Sequence, residues 1–138
     1  MAFVPFVHVA ATWMLVGLIW TIQIVAYPQF LRVGEREFVP YHFAHCWRIG
    51  LLIAPLLAVE VVSAAGLLYL GHRERAFVIS VALIFVNWGC TAVVQAPMHV
   101  KLMQGFDTGV IRRLILSNWL RTVSWTVRGV LVGCLVAG

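Results

Sequence analysis

The chain has 138 residues, of which 62% are hydrophobic and 11% charged, with ten Lys and Arg against five Asp and Glu for a formal charge of +5. Soluble domains average about 45–50% apolar and 25% charged residues, and a chain this short needs much polar surface to cover itself. The composition therefore excludes an ordinary soluble fold, and basic residues scattered around apolar segments exclude the contiguous face that nucleic acid requires.

Crossing about 30 Å of hydrocarbon takes roughly 20 apolar residues as helix. Four segments qualify, at about 4–28, 43–70, 76–98 and 110–136. The first has no basic residue before Arg32, so it lacks the charged leader of a signal peptide and is expected to stay attached as a span. Residues 31–40 (LRVGEREFVP) read as a loop, and Pro55 is expected to kink the second span. A tight turn follows at 71–75 (GHRER), and a second loop at 101–109 (KLMQGFDTG). Short connections predict an all-α integral membrane protein, a four-helix up-down-up-down bundle forming one domain over 1–138. Arg32, Arg36, Arg48, Lys101, Arg112, Arg113 and Arg121 fall on one side of it, and Arg73 and Arg75 on the other. By the positive-inside rule both termini are expected outside a bacterial inner (plasma) membrane, with the two longer loops in the cytoplasm.

Ionisable groups inside spans are costly and face the bundle interior. At about 1.5 Å rise per residue, Glu60, Asn87 and Arg128 come to nearly one depth, roughly 14–17 Å from the outer surface. This predicts a buried Glu60–Arg128 pair with Asn87 satisfying its spare hydrogen bonds; Glu60 would either pin two helices or handle a proton. Each helix also carries a polar stripe: His8, Thr12, Trp20, Gln23 and Tyr27; His42, His45, Arg48 and Glu60; Asn87, Thr91, Gln95 and His99; Asn118, Arg121, Trp125 and Arg128. Four such stripes predict a polar pocket that opens towards the cytoplasm and narrows towards Glu60 and Arg128.

His42 and His45, three residues apart on one helical face, have the spacing of a metal-ligand pair, and His99 lies at the same level to complete a transition-metal site. The same three serve equally as acid–base groups or as interfacial histidines bonded to water and headgroups. His8, among apolar and aromatic neighbours with Gly17 nearby, has the setting of an axial haem ligand. Gln23, Tyr27, Gln95, Asn118 and Arg121 are candidates to orient a substrate. The three cysteines, Cys46, Cys90 and Cys134, form no CxxC pair and read as small buried apolar residues. Gly129 and Gly133 form a GxxxG pattern suited to close helix contact or dimerisation. There is no nucleophile elbow, P-loop, HExxH or dinucleotide fingerprint.

The stretches QIVAYPQF, YHFAHCWRIG and APLLAVE, followed by QAPMHVKLMQGFD and SNWLRTVSWTVRG, resemble a family of small bacterial four-helix inner-membrane proteins with no assigned activity. The resemblance covers most of the chain and implies fold and membrane location. HVAATWMLVG, with Arg48 and Pro55 in the second span, is similar in kind to the four-helix haem-binding protoporphyrinogen oxidases. That likeness implies a haem held near His8 and Arg48. A looser similarity runs to anthrone-oxygenase-like membrane proteins.

The leading expectation is a small membrane oxidoreductase, dependent on haem or a transition metal, acting on a hydrophobic ring-bearing molecule such as a quinone or porphyrin. The alternatives are a non-catalytic subunit packed in a larger membrane complex or as a homo-oligomer, and a small transporter. Its surroundings in every case are the lipid bilayer.

Overall fold

The computed structural model describes residues 3–137, which form four helices and no strands. Helix α1 covers Phe3–Arg32, α2 Glu35–Tyr69, α3 Arg75–Leu102 and α4 Thr108–Ala137. The first three are long and apolar enough to cross a membrane. Helix α4 is as long as they are, but Asn118, Arg121, Thr122, Ser124 and Arg128 lower its hydropathy, and all five are buried against the other helices.

The expected loop at 31–40 shrinks to Val33 and Gly34, because α2 begins at Glu35 and not near 43. Gly34 adopts an extended conformation ahead of the helix, and Glu35 and Glu37 place negative charge in the first turn, where the helix dipole favours it. Pro40 and Pro55 both lie inside α2. Pro40 sits within the first two turns, where the single lost bond to the carbonyl four residues back is cheapest. The turn after α2 matches expectation. Gly71 takes φ +93°, its N–H donates to the Leu68 carbonyl at 3.2 Å, and the His72 N–H donates to the Leu67 carbonyl at 3.1 Å. This is a Schellman ending, and the positive φ is why the position suits glycine. Asp107 caps α4, its Oδ1 accepting the Val110 N–H at 2.9 Å.

Two helices widen into π geometry, α1 over Ile22–Ala26 and α3 over Thr91–Gln95. Each widened turn stands in the same register to a proline, running from six to two residues before Pro28 and Pro97. A proline offers no N–H to the carbonyl four residues back and its ring crowds that carbonyl, so one extra residue in the turn relieves both faults. Each insertion rotates the helix beyond it, and each carries one buried glutamine, Gln23 and Gln95.

Helix α1 packs along α2 and α4, and α4 along α1 and α3. Helices α2 and α3, although consecutive, make no comparable backbone contact. The bundle is therefore closed on three sides and has a seam on the fourth. Leu15, Val16, Ile19 and Trp125 form one apolar core cluster, and Tyr27, Phe30, Phe38, Leu102, Ile111 and Leu114 belong to a second near the α1–α2 turn. Large apolar side chains such as Phe43, Val62, Phe85, Val93 and Leu116 point outwards, as a lipid-facing surface requires.

Gly129 packs within this chain. A Cβ there would meet Val16 Cγ2 at 3.1 Å and the Trp13 ring at 3.4 Å, whereas one at Gly133 would meet nothing within 4 Å. The GxxxG pattern thus supplies one close contact between α4 and α1, and its first glycine is not free for a second subunit.

Candidate functional site

Two polar centres occupy the interior. The first contains the expected Glu60–Arg128 ion pair, both side chains essentially fully buried. Arg128 is its hub. Nε donates to the Ser80 carbonyl at 2.9 Å, Nη1 to Thr12 Oγ1 at 3.2 Å as well as to Glu60 Oε1, and Nη2 to His8 Nε2 at 3.2 Å. Since a guanidinium only donates, His8 accepts through Nε2 and carries its proton on Nδ1, which reaches Ser63 Oγ at 2.8 Å. Both ring nitrogens of His8 are thereby engaged within the chain in a fully buried ring, which ties His8 to Arg128 and Ser63. Arg48, its expected companion, lies exposed on α2 beside a surface hollow lined by Tyr41 and His45. Asn87 does not complete the ion pair either: its Nδ2 and Oδ1 are buried without a hydrogen-bond partner, and Trp125 Nε1 donates to Glu60 Oε1 instead, at 3.4 Å.

The second centre lies at the other end of the seam, where the side chains of α2 and α3 meet. His42 Nε2 and His99 Nδ1 are 2.9 Å apart, with the rings stacked at 21° and centroids 5.1 Å apart. On the far side of His99, Nε2 lies 3.0 Å from Tyr27 Oη. Cys46 Sγ is 3.6 Å from both His42 Nε2 and His99 Nδ1. Phe38 stacks on His42 at 5.5 Å, and Phe30 meets His42 and His45 edge-on at 5.3 and 4.9 Å.

The metal expectation needs one correction. The side chains brought together are His42, Cys46 and His99, whose ligand atoms all lie within 4.8 Å of one another. His45 stands apart, packed on the rings of Phe30 and Tyr27. At 100° per residue a position four further on lies about 40° round the helix, and one three further on lies about 60° the other way. Cys46 therefore faces α3 with His42. The spacing His42-x-x-x-Cys46 is the signal in the sequence, and reading the cysteine as packing obscures it.

A cavity of about 340 Å³ opens beside this cluster, walled by Tyr27, His45, Cys46, Gln95, His99 and Arg121 among mainly apolar residues. It shares Ile53, Thr91 and Arg121 with a second cavity of about 300 Å³, which extends past Trp88 to Trp125. A third, wholly apolar cavity of about 190 Å³ continues from Trp88 between Leu68 and Phe85. Together they follow the seam between α2 and α3.

Arg121 forms the polar floor where the first two cavities meet. It is 6% exposed, donates from Nη1 to Asn118 Oδ1 at 3.0 Å, and lies over the Trp125 ring at 5.4 Å. Among the described residues it pairs with no carboxylate, and its Nε is buried without a partner. Gln23 and Asn118, expected to contact substrate, stand behind it instead. Asn118 Nδ2 donates to Gln23 Oε1 at 2.8 Å, and Gln23 Nε2 donates to the Ile115 carbonyl at 3.1 Å. Gln95 lines the cavity and donates to Ser117 Oγ at 3.2 Å, leaving its Oε1 without a partner. Of the five expected substrate residues, Tyr27, Gln95 and Arg121 reach the cavity and two hold Arg121 in place.

Compared with protein-family profiles, curated proteins and solved structures, the chain matches none.

Proposed function

We propose that this chain is a multi-pass inner-membrane oxidoreductase that takes a lipid-soluble, ring-bearing carbonyl compound of the quinone class from the bilayer into the α2–α3 seam. In this reading all four helices cross the membrane alternately up and down, both termini lie outside, and the His42–His99 end faces the cytoplasm. The excess of Arg and Lys at that end supports the orientation.

The observation that carries the reading is Arg121, a buried cation with no carboxylate partner among the described residues, at the floor of an apolar seam. Burying an unpaired charge is expensive unless something compensates it. A ring oxygen that gains negative charge on reduction is the complement to such a group. The lining agrees in kind: Tyr27, His99 and Arg121 would meet a polar head, and Leu57, Trp88 and Leu68 an apolar tail. The His99–Tyr27 contact sets a hydrogen-bonding pair at the polar head, where it could exchange protons with the ring oxygens.

Trp88 and Trp125 line the seam and report on its contents. Titrating the detergent-purified protein with a decyl-substituted benzoquinone is expected to quench their fluorescence saturably. Arg121→Gln should weaken binding by about tenfold or more, as for the loss of a charged hydrogen bond. The exposed Arg113→Gln should leave it unchanged. Non-saturable quenching, or equal affinity in Arg121→Gln, would refute the proposal.

A further inference from the structure

We infer that His42, Cys46 and His99 form a transition-metal site of the zinc or copper kind, with its open coordination position facing the seam cavity.

The donor set is two imidazoles and a thiol from two helices, converging within 4.8 Å. Metal–nitrogen bonds of about 2.0–2.1 Å and metal–sulfur bonds of about 2.3 Å put tetrahedral donor atoms roughly 3.3–3.6 Å apart. Both sulfur–nitrogen separations, at 3.6 Å, already meet that requirement. The nitrogen–nitrogen separation of 2.9 Å is that of a hydrogen bond, so holding an ion requires the two rings to part by roughly 0.4–0.5 Å. Hard cations prefer oxygen donors, so an imidazole and thiolate set selects zinc or copper over magnesium or calcium.

Proton accounting closes without another reactant. In the metal-free cluster one imidazole proton sits between His42 Nε2 and His99 Nδ1. On metal binding it moves to the outer nitrogen of the ring that holds it, His42 Nδ1 or His99 Nε2. The Cys46 thiol proton leaves to solvent as the sulfur becomes a thiolate ligand, one proton per ion. Tyr27 Oη, 3.0 Å from His99 Nε2, is placed to accept that nitrogen's proton and fix the tautomer. His42 Nδ1 is buried with no partner of its own. Three protein ligands leave a fourth position, and since Cys46 and His99 both line the cavity, that position opens into it. The site does not rest on the quinone reading, because its donors converge whatever the cavity holds.

Cobalt(II) tests this directly, as it adopts zinc geometry and absorbs visibly. The purified full chain is expected to bind one cobalt with a near-ultraviolet thiolate-to-cobalt charge-transfer band, displaced by an equal amount of zinc. Cys46→Ser should abolish that band, and His99→Ala should weaken cobalt binding at least tenfold. Cys90→Ser should change neither. Variants are compared only where helical circular dichroism and monodisperse elution match the parent. No stoichiometric cobalt binding in the parent chain would overturn the site. So would a band that survives Cys46→Ser, or one abolished by His45→Ala but not by Cys46→Ser. The quinone titration on the metal-free protein is a separate readout, so either proposal can fail alone.

Discussion

His42 Nε2 and His99 Nδ1 meet at 2.9 Å across two helices whose backbones otherwise keep apart. That contact, with Tyr27 behind it, bridges the end of the seam. Replacing His99 by Ala removes the bond to His42 and the one to Tyr27 together. The expected cost is about 1–3 kcal/mol, seen as a lower thermal unfolding midpoint in detergent. A midpoint unchanged in His99→Ala would mean that the bridge contributes nothing to closure.

The Glu60–Arg128 pair predicts a sharper pattern. Glu60→Leu or Arg128→Met alone leaves a charge buried without its counterpart and should cost about 3–5 kcal/mol. Glu60→Leu combined with Arg128→Met removes both charges and should recover much of that loss, though His8, Thr12 and Ser80 lose their donor. Thermal unfolding of the two single variants and the double variant checks this. A double variant as unstable as the sum of the singles would refute the coupling.

Gly129 and Gly133 should differ although the sequence pattern treats them alike. Gly133→Ala meets nothing and should stabilise by about 0.5–1 kcal/mol through helix propensity, while Gly129→Ala presses its Cβ on Val16 and Trp13 and should fall short of that gain. Equal effects in the same unfolding assay would show that α4 does not meet α1 through Gly129.

Asn118 is a positioning residue for Arg121, tied in turn to Gln23. Asn118→Ala should weaken quinone binding by about three- to tenfold, less than Arg121→Gln because the guanidinium itself remains. The same substitution in an Arg121→Gln background should add little, because the effect acts through the guanidinium. Full additivity in that double-mutant cycle would show that Asn118 acts by another route.

Much of the plan is legible in the residues. Apolar length and polar punctuation locate four helices, and matched depth finds the Glu60–Arg128 pair. The differences have separate causes, beginning with helical bookkeeping at 100° per residue, which assumes regular helices and counts only side chains already suspected of chemistry. The π turns before Pro28 and Pro97 rotate the helix beyond them, so a stripe through Gln23 or Gln95 does not project in register across those points. Cys46 reads as filler, although its spacing from His42 suits a shared face better than that of His45. Asn87 shares a depth with the ion pair but not its direction, and depth alone does not tell the two apart. The early start of α2 is hidden by Pro40, which normally marks a boundary and here lies inside the helix.

The polarity of α4 bears on how the protein is made. Three helices carry enough apolar surface to partition into lipid by themselves, whereas α4 brings Arg128 and Asn118, whose partners sit on α1, α2 and α3. In the four-span reading, α4 emerges from the ribosome after the other three helices and has little reason to leave the translocon until those partners are already in the membrane. Its insertion is then an act of assembly. A lesion at Glu60 or Gln23 would slow the fourth helix at the insertion step, lowering the yield of assembled protein as well as the stability of what assembles.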